Sequence, residues 1–412
     1  MPRPSRLPLA LVLLASLAPA ALALDWPQWR GPDRTGVSQE GGLLKAWPAG
    51  GPRRLWLFEN AGNGYSGPAI AGGKYFTLGT RGGSDHLLIL DAETGREIRA
   101  VKIGEILDND WGQGSRGSPT VDGDRVYALT GAGDLACVDI AGGKVRWTVS
   151  MKSLGGSTPN WGYAESVLVD GNKVLCTPGG KRGVVAALDK MTGKLLWQSK
   201  DLAEPAHYSS IVPAVIHGVR QYVQRNEKSI FGLAANDGRV LWQTDFPGRT
   251  AMIPTPIVSG NDVYVTAGYG TGCKMVRIEP DNKVTVVYEN KNAKNHHGGF
   301  VKIGDYLYGH GDPAWICQDF KTGEEVWSTR KITKGAVTAA DGMLYCLEEK
   351  TGNVILAEAS PAGWSEKGRF TLEPQTKIRS PRGAIWTHPV IANGKLYLRD
   401  QDLIYCYDIK AK

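Results

Sequence analysis

The chain has 412 residues, of which 42% are hydrophobic and 22% charged, and its formal net charge is +7 at pH 7. These values are close to the average of globular proteins, so they argue against a disordered, collagen-like or coiled-coil chain. The mild positive charge forms no Lys/Arg run or basic stripe, so nucleic acid is not an expected partner. Glycine contributes 53 residues, nearly twice the usual share, which favours many tight turns over long helices.

Residues 1–23 have the features of a secretory signal peptide. Arg3 and Arg6 precede an apolar stretch over residues 7–18, and residues 21–23, Ala-Leu-Ala, form a cleavage site. The alternative is a transmembrane anchor, but prolines and a serine interrupt the stretch, which is shorter than the roughly 20 apolar residues of a span. We therefore expect a periplasmic or secreted protein, soluble after cleavage, with no membrane span.

A glycine-containing hairpin between short β-rich runs recurs along the chain, as at residues 120–127 and 257–264. The turn glycines of its eight copies are Gly73, Gly123, Gly171, Gly218, Gly260, Gly304, Gly342 and Gly394. Their mean spacing of about 46 residues is typical of a repeat architecture.

A second signal follows each hairpin and consists of a strand, Asp, a turn with Gly, a basic residue, and a strand with Trp. Its clearest copy covers residues 184–197. We identify seven copies, marked by Gly95, Gly143, Gly193, Gly238, the Asp281-Asn282 turn, Gly323 and Gly352. The eighth copy is missing after Asp408, but an unpaired run at 55–58 with Trp56 precedes the first hairpin.

Eight first hairpins, seven second hairpins and one unpaired N-terminal strand predict an all-β fold, an eight-bladed β-propeller of four-stranded blades closed by the N-terminal strand. An open β-solenoid or two sandwiches would not explain why the missing last strand reappears at the front. The chain contains no Trp-Asp dipeptide, which argues against a WD40 propeller. We expect an N-terminal extension at 24–54 and a single propeller domain at 55–412, monomeric, with an insertion at 359–385 in the eighth blade.

The pattern Ala-Leu-Asp-x-x-Thr-Gly-Lys-x-x-Trp at 187–197, with weaker copies at 89–99, 137–147 and 317–327, resembles the PQQ-like repeat. That repeat builds the eight-bladed propellers of quinoprotein alcohol dehydrogenases and of the outer-membrane assembly lipoprotein BamB. The resemblance covers nearly all of residues 55–408. It implies the propeller fold strongly and any particular activity only weakly.

Four further segments look like those of exported single-propeller proteins of planctomycete-type bacteria, a resemblance that implies no assigned reaction. They are residues 25–32, 160–163, 295–299 and 398–402. The resemblance to quinoproteins would imply a quinone held between a Trp and a disulfide of adjacent cysteines, with Ca²⁺ bound by side-chain oxygens. The chain has no Cys-Cys pair and no Cys-x-x-Cys-His haem motif, so we expect no cofactor and no metal, with PQQ and calcium as the alternative.

Six cysteines in an exported chain first suggest disulfides. However, Cys137, Cys317, Cys346 and Cys406 all lie two residues before the acidic residue of the second signal. Equivalent strands of neighbouring blades should be farther apart than the roughly 7 Å that a disulfide spans between Cα atoms. We therefore expect buried free thiols.

Two other motifs carry little functional weight. Residues 112–117 match G-x-G-x-x-G, but a strand follows them instead of a helix, which argues against a dinucleotide site. Residues 108–110, Asp-Asn-Asp, lack the remaining ligands of a calcium loop, so we interpret them as a solvated turn.

The segments that join the outer strand of one blade to the inner strand of the next should lie on one face of the ring, around the mouth of the central channel. Polar and aromatic side chains converging there are what a ligand site needs. The candidate residues are Tyr65, Arg116, Trp161, Tyr163, Glu165, His207, Tyr208, Arg249, His296, His297, Arg382, Trp386 and His388. We expect the adjacent His296 and His297 to point to opposite faces, as in an extended chain, which argues against a metal pair.

These candidates predict an exported binding or scaffold protein that engages a protein, peptide or glycan through this face. Arginine forks suit carboxylate or phosphate groups and tryptophan offers a stacking plane, so such a set favours a small anionic or cyclic ligand. A broad apolar rim would instead favour a protein partner. The alternative function is an enzyme with its site at the channel mouth, either a PQQ- and Ca²⁺-dependent alcohol oxidoreductase or one using His and Arg.

Overall fold

The β-rich runs and glycine turns form eight antiparallel sheets of consecutive strands, which confirms the predicted eight-bladed propeller. The strands of each blade are given in order from the channel outward. Blade 1 consists of Ala69–Ala71, Lys74–Arg81, Ser84–Asp91 and Glu97–Glu105, and blade 2 of Thr120–Asp122, Arg125–Leu129, Asp134–Asp139 and Val145–Ser150. Blade 3 consists of Leu168–Asp170, Lys173–Cys176, Ala186–Asp189 and Leu195–Gln198, and blade 4 of Val212–Ile216, Val219–Arg225, Ser229–Ala234 and Val240–Asp245. Blade 5 consists of Ile257–Ser259, Asp262–Ala267, Gly272–Ile278 and Val284–Asn290, and blade 6 of Phe300–Ile303, Tyr306–His310, Trp315–Asp319 and Glu325–Thr329. Blade 7 consists of Gly335–Ala340, Met343–Glu348, Asn353–Glu358 and Glu366–Thr371. Blade 8 consists of Val390–Ala392, Lys395–Asp400, Leu403–Asp408 and, as its outer strand, Arg54–Phe58. A 3₁₀ turn at Met151–Leu154 follows blade 2.

The structure, a computed structural model, describes residues 24–411. The predicted signal peptide, residues 1–23, lies outside the described residues. Within residues 24–411, no helix is long and apolar enough to cross a membrane.

The N-terminal strand closes the ring, as the unequal hairpin counts predict. Arg54–Phe58 pairs antiparallel with Leu403–Asp408, the third strand of blade 8, with Trp56 opposite Cys406. The last blade therefore combines strands from both ends of the chain, and no blade presents an unpaired fourth position.

The Thr-Gly and Trp positions of the repeat are explained by contacts between neighbouring blades. The ring of Trp147, in the outer strand of blade 2, lies against Gly193 in the last turn of blade 3, and its Nε1 donates a hydrogen bond of 3.1 Å to the Lys190 carbonyl. Gly193 has φ 73°, and a β-carbon there would stand 2.8 Å from the indole. Trp197 and Gly238 repeat this contact one blade further on. Only glycine fits under the tryptophan, so packing between blades explains why glycine and tryptophan recur at these positions of the repeat.

In blade 7, two predictions are wrong: the position of the second signal and the bounds of the insertion. Gly352 lies between the second and third strands of this blade, whereas the predicted position is between the third and fourth. The error arises because Glu348 and Gly352 reproduce the acid-x-x-Thr-Gly spacing of the other turns. The outer strand Glu366–Thr371 consequently falls inside the segment predicted as an insertion at 359–385, and the true insertion covers residues 372–389.

All six cysteines are buried free thiols. Cys137, Cys317 and Cys406 occupy the third strand of their blades, as the repeat predicts. Cys346 lies in the second strand of blade 7, for the same reason that Gly352 is displaced.

Residues 24–47, here called the channel segment, run along the inner strands of the central channel and then leave it beside blades 7 and 8, where the Trp47 N–H donates to the Lys367 carbonyl in the outer strand of blade 7. Trp26 exchanges main-chain hydrogen bonds of 2.9 and 2.8 Å with Ile70 in blade 1. Val37–Ser38 adds a parallel fifth strand to Gly335–Ala340, the inner strand of blade 7. The channel is therefore filled by the chain itself.

Polar groups of the channel segment contact the remaining blades. The Pro27 carbonyl accepts from the inner strand of blade 2, and Trp29 donates to a threonine that precedes blade 5. Arg34 donates to main-chain carbonyls at the starts of blades 3 and 4, and Arg30 to one in blade 6. Glu40 accepts two main-chain N–H groups from the first turn of blade 8. The segment thus makes hydrogen bonds to every blade of the ring.

Candidate functional site

A cavity of about 320 Å³ opens at one mouth of the channel, on the face formed by the segments that join successive blades. Every junction except that between blades 6 and 7 contributes residues to its lining. Trp29 and Arg30 of the channel segment also line it. The cavity is therefore built by both the blade junctions and the channel segment.

Eight of the thirteen predicted site residues line this cavity. They are Tyr65, Arg116, Trp161, Tyr208, His296, His297, Trp386 and His388. These residues come from six different junctions, so the ring brings together side chains that lie up to 323 positions apart in the chain.

Tyr163 and Glu165 belong to the packing of the ring instead of the cavity surface. Tyr163 is buried in the core between blades 2 and 3, and its hydroxyl donates to main-chain carbonyls. Glu165 is buried and accepts hydrogen bonds of 2.6 and 2.9 Å from the main-chain N–H and the hydroxyl of Thr177. Burial raises the pKa of Glu165 to about 8, although Thr177 and Arg34 oppose the shift.

The other three predicted residues also lie outside the lining. His207 is half-buried against Tyr208, with ring centroids 5.5 Å apart. Arg249 is exposed. Arg382 is exposed and forms an ion pair of 3.2 Å with Asp110. These positions lie in the junctions, as the rule predicts, but their side chains are not part of the cavity lining.

Four prominent lining residues are missing from the prediction. Trp111 lies in a junction already considered, so the same rule finds it. Tyr269 lies in the turn between the second and third strands of blade 5, which opens on the same face. Trp29 and Arg30 could not be placed, because nothing in the repeat pattern locates the N-terminal extension inside the channel.

Aromatic rings form much of the cavity wall. The Trp386 ring centroid lies 5.0 Å from that of Tyr65 and 5.6 Å from that of His297. Trp161 and Tyr208 form a second pair, with centroids 5.8 Å apart. Such flat apolar surfaces suit the face of a ring-shaped ligand.

Arg116 contributes a positive charge to the wall. Its guanidinium lies over the Tyr65 ring, 5.5 Å from the centroid, and its Nη2 donates a hydrogen bond of 2.7 Å to the Gly112 carbonyl. Burial lowers the pKa of Arg116 to about 10, so the group stays charged at neutral pH. A β-carbon on Gly112 would stand 2.3 Å from the Tyr65 hydroxyl, so the G-x-G-x-x-G sequence serves close packing of this loop.

His296 and His297 both line the cavity, with ring centroids 4.7 Å apart, so the prediction that they point to opposite faces is wrong. The chain turns here instead of extending. The Asn295 side-chain oxygen accepts the Gly299 N–H at 3.0 Å, and Gly299 has φ 71°. This turn over residues 295–299 directs both imidazoles to the same side.

A chain of polar contacts extends from the two histidines. His296 Nε2 lies 2.7 Å from the Tyr269 hydroxyl, and its Nδ1 lies 2.5 Å from Lys334 Nζ. His297 Nε2 lies 2.8 Å from Glu349 Oε2, without the alignment of a hydrogen bond. Burial, His297 and Lys334 lower the pKa of His296 to about 2, so it is neutral at pH 7. Burial would raise the pKa of Glu349, but His297 and Lys334 outweigh it and lower that pKa to about 2.

The lining does not fit a calcium-bound quinone. Ca²⁺ takes six to eight oxygen ligands, chiefly from carboxylate and amide side chains. None of the lining residues, which all fall within the described 24–411, is Asp, Glu, Asn or Gln. In the same part of the chain, no group of three or more His, Cys, Asp and Glu side chains could hold a metal ion.

Comparison with known proteins identifies the family of this chain. The family model described as outer membrane protein assembly factor BamB matches residues 89–329, more than half of the sequence. The chain belongs to this family. BamB of Yersinia pestis is 22% identical over 367 residues, which cover 80% of this chain and 82% of that protein.

Solved structures share the fold. BamB from Moraxella catarrhalis superposes with a TM-score of 0.61 at 14% identity and covers 87% of this chain and 100% of that one. Quinohemoprotein alcohol dehydrogenase from Comamonas testosteroni gives a TM-score of 0.66 at 10% identity, covering 94% of this chain and 81% of that one. At these identities the likeness establishes the eight-bladed architecture, which BamB proteins and quinoproteins have in common.

Proposed function

We propose that this BamB-family protein is an exported binding protein that captures part of a protein, peptide or glycan in the cavity at the channel mouth. The observation that carries the proposal is the cavity lining, which combines aromatic walls and two guanidinium groups, Arg30 and Arg116, with no acidic side chain. A pocket of this size accommodates one small chemical group, so a larger partner would insert a single residue or ring.

The family supports binding over catalysis. Its relatives carry the name of an outer membrane protein assembly factor, and assembly requires contact with other molecules. The enzymatic alternative, quinone-dependent alcohol oxidation, lacks calcium ligands in the lining. We therefore propose a binding or scaffold role for the face.

A cavity-filling variant tests this proposal. Ala164 lines the cavity, and Ala164→Phe adds a ring there without removing any proposed contact. Ala362→Phe, in an exposed turn of blade 7, is the matched control. The probes are trigalacturonic acid, galactotriose and the peptide Asp-Tyr-Glu, titrated by calorimetry.

We expect the parent and Ala362→Phe to bind at least one probe equally, and Ala164→Phe to bind it at least tenfold more weakly. Equal binding by Ala164→Phe, or no binding of any probe by the parent, would overturn the proposal.

Export is tested separately by N-terminal sequencing of the protein from a periplasmic fraction. Cleavage after Ala23 should leave Leu24 as the first residue. Recovery of an uncleaved chain in the cytoplasm would contradict export.

A further inference from the structure

Arg30 has donors to spare at the floor of the cavity. Its Nη2 donates hydrogen bonds of 2.6 and 2.5 Å to the Thr35 and Phe300 carbonyls, and its Nε donates one of 3.4 Å to the Arg34 carbonyl. Among residues 24–411, Nη1 has no hydrogen-bond acceptor. Burial lowers the pKa of Arg30 to about 10, so it remains a cation. The guanidinium is fixed on one side and free to donate from the other.

The backbone at Arg30 is strained to hold this geometry. Arg30 has φ 62°, a left-handed conformation that non-glycine residues rarely adopt. Such strain persists only where surrounding contacts impose it, and it is concentrated at ligand and active sites.

His388 presents an acceptor beside this donor. Its Nε2 lies 3.0 Å from the His297 carbonyl oxygen, and because a carbonyl can only accept, the proton sits on Nε2. Burial, with the Arg30 charge, lowers the pKa of His388 to about 3, so the ring is neutral and Nδ1 keeps its lone pair. No donor within the described residues reaches Nδ1.

The two groups lie close together on one surface. A β-carbon on Gly299 would stand 2.8 Å from Arg30 Nη1 and 3.4 Å from His388 Cε1. The absence of a side chain at Gly299 therefore leaves both groups uncovered. The Trp29 ring packs edge-on against His388, with centroids 4.7 Å apart, and completes an aromatic floor.

We propose that this floor, formed by Trp29, Arg30 and His388, is the binding subsite for a carboxylated sugar, a uronic-acid residue of an oligosaccharide. Arg30 Nη1 receives the carboxylate, and His388 Nδ1 accepts a hydrogen bond from the neighbouring hydroxyl. The aromatic walls contact the face of the sugar ring. The inference rests on the proposed binding function of the cavity and specifies its ligand class.

The acceptor distinguishes a sugar acid from other anions. A planar aromatic acid without a hydroxyl would satisfy Arg30 but leave His388 Nδ1 buried without a donor, which is costly. A neutral sugar would leave Arg30 buried without a counter-charge. A ligand with a carboxylate beside a hydroxyl satisfies both groups.

The experiment compares digalacturonic acid, galactobiose and 2-naphthoate by calorimetry. His388→Phe keeps a ring at the floor and removes the acceptor. His86→Phe, in the third strand of blade 1 and outside the cavity lining, is the matched control. Melting temperatures verify that both variants fold.

We expect the parent to bind digalacturonic acid at least tenfold more tightly than galactobiose. His388→Phe should lose at least tenfold in affinity for digalacturonic acid and little for 2-naphthoate, while His86→Phe matches the parent. If His388→Phe unfolds, His388→Gln, which keeps an acceptor oxygen, should preserve the preference over galactobiose.

Equal binding of the acid and the neutral disaccharide, or tighter binding of 2-naphthoate, would overturn the ligand class. If Ala164→Phe still blocks the preferred probe in that case, the binding function of the cavity survives. If Ala164→Phe blocks none, both proposals fail.

Discussion

The ring and the channel segment encode structure in different ways. Most blades repeat the glycine turn between the third and fourth strands and its contact with a large side chain of the preceding blade, so one blade predicts much of its neighbours. Residues 24–47 repeat nothing, yet they hydrogen-bond to all eight blades and supply Trp29 and Arg30 to the cavity.

This difference separates architecture from specificity. The ring builds the mouth from junctions at the same position of successive blades, whereas a non-repetitive segment can change the floor of the pocket without disturbing the blades. We therefore expect changes in the channel segment to alter both stability and binding, and changes in the repeat turns to alter stability alone.

Removing the guanidinium of Arg34 should have the largest effect. Arg34 is 2% exposed and donates to Gln28 and to three main-chain carbonyls of the ring. Arg34→Met leaves those buried acceptors without donors and should lower the free energy of unfolding by about 3–5 kcal/mol, measured by urea denaturation.

The control for this prediction is Arg53→Met. Arg53 has a side chain 75% exposed and a single ion pair with Asp408, so its replacement should change stability by no more than about 0.5 kcal/mol. Equal losses in the two variants would show that the channel segment is not anchored in the ring.

A pair of glycines tests the ring without involving the channel segment. Gly193 and Gly171, both in blade 3, have φ 73° and 60°, but only Gly193 lies under a tryptophan. Gly193→Ala should cost about 2–4 kcal/mol from strain and overpacking, and Gly171→Ala about 1 kcal/mol from strain alone. Indistinguishable unfolding curves would contradict the packing role of the repeat glycine.

The sequence predicts the ring well because turns and packing are local and repeated. The hairpin glycines, the closing strand at 55–58 and eight lining residues follow from spacing alone. The error in blade 7 shows the limit of this approach, since Glu348 to Gly352 reproduces the turn signature at a different place in the blade.

Trp29 and Arg30, the part of the floor that comes from the channel segment, could not be predicted in the same way. Contacts of Arg30 with Phe300, 270 positions away, have no periodic signal. The turn at 295–299 depends on a hydrogen bond to the side chain of Asn295. The alternation of side chains along a strand therefore cannot predict the directions of His296 and His297.

Two buried histidines of the ring, one within a blade and one packed against the channel segment, should make the stability of the protein depend on pH. Burial lowers the pKa of His310, within blade 6, to about 4, and that of His388, packed on Trp29, to about 3. The unfolded chain takes up protons first, so stability is full above pH 6.5 and falls as the pH drops toward 4. Each histidine should contribute a loss of about 1.4 kcal/mol per pH unit.

Urea denaturation between pH 6.5 and 4.5 measures this loss. His310→Gln and His388→Gln should each make the decline shallower by that amount. A decline as steep as the parent's in both variants would show that neither histidine is buried in its neutral form.

Hydrogen–deuterium exchange of residues 24–47 tests most directly whether the channel segment is part of the folded ring. Main-chain N–H groups of Trp26, Gly36 and Leu44 donate hydrogen bonds inside the protein. Their peptides should exchange as slowly as the inner strand Ala69–Ala71. Exchange of the whole segment within seconds, while the blade strands remain protected, would contradict its place in the channel and with it the floor of the proposed site.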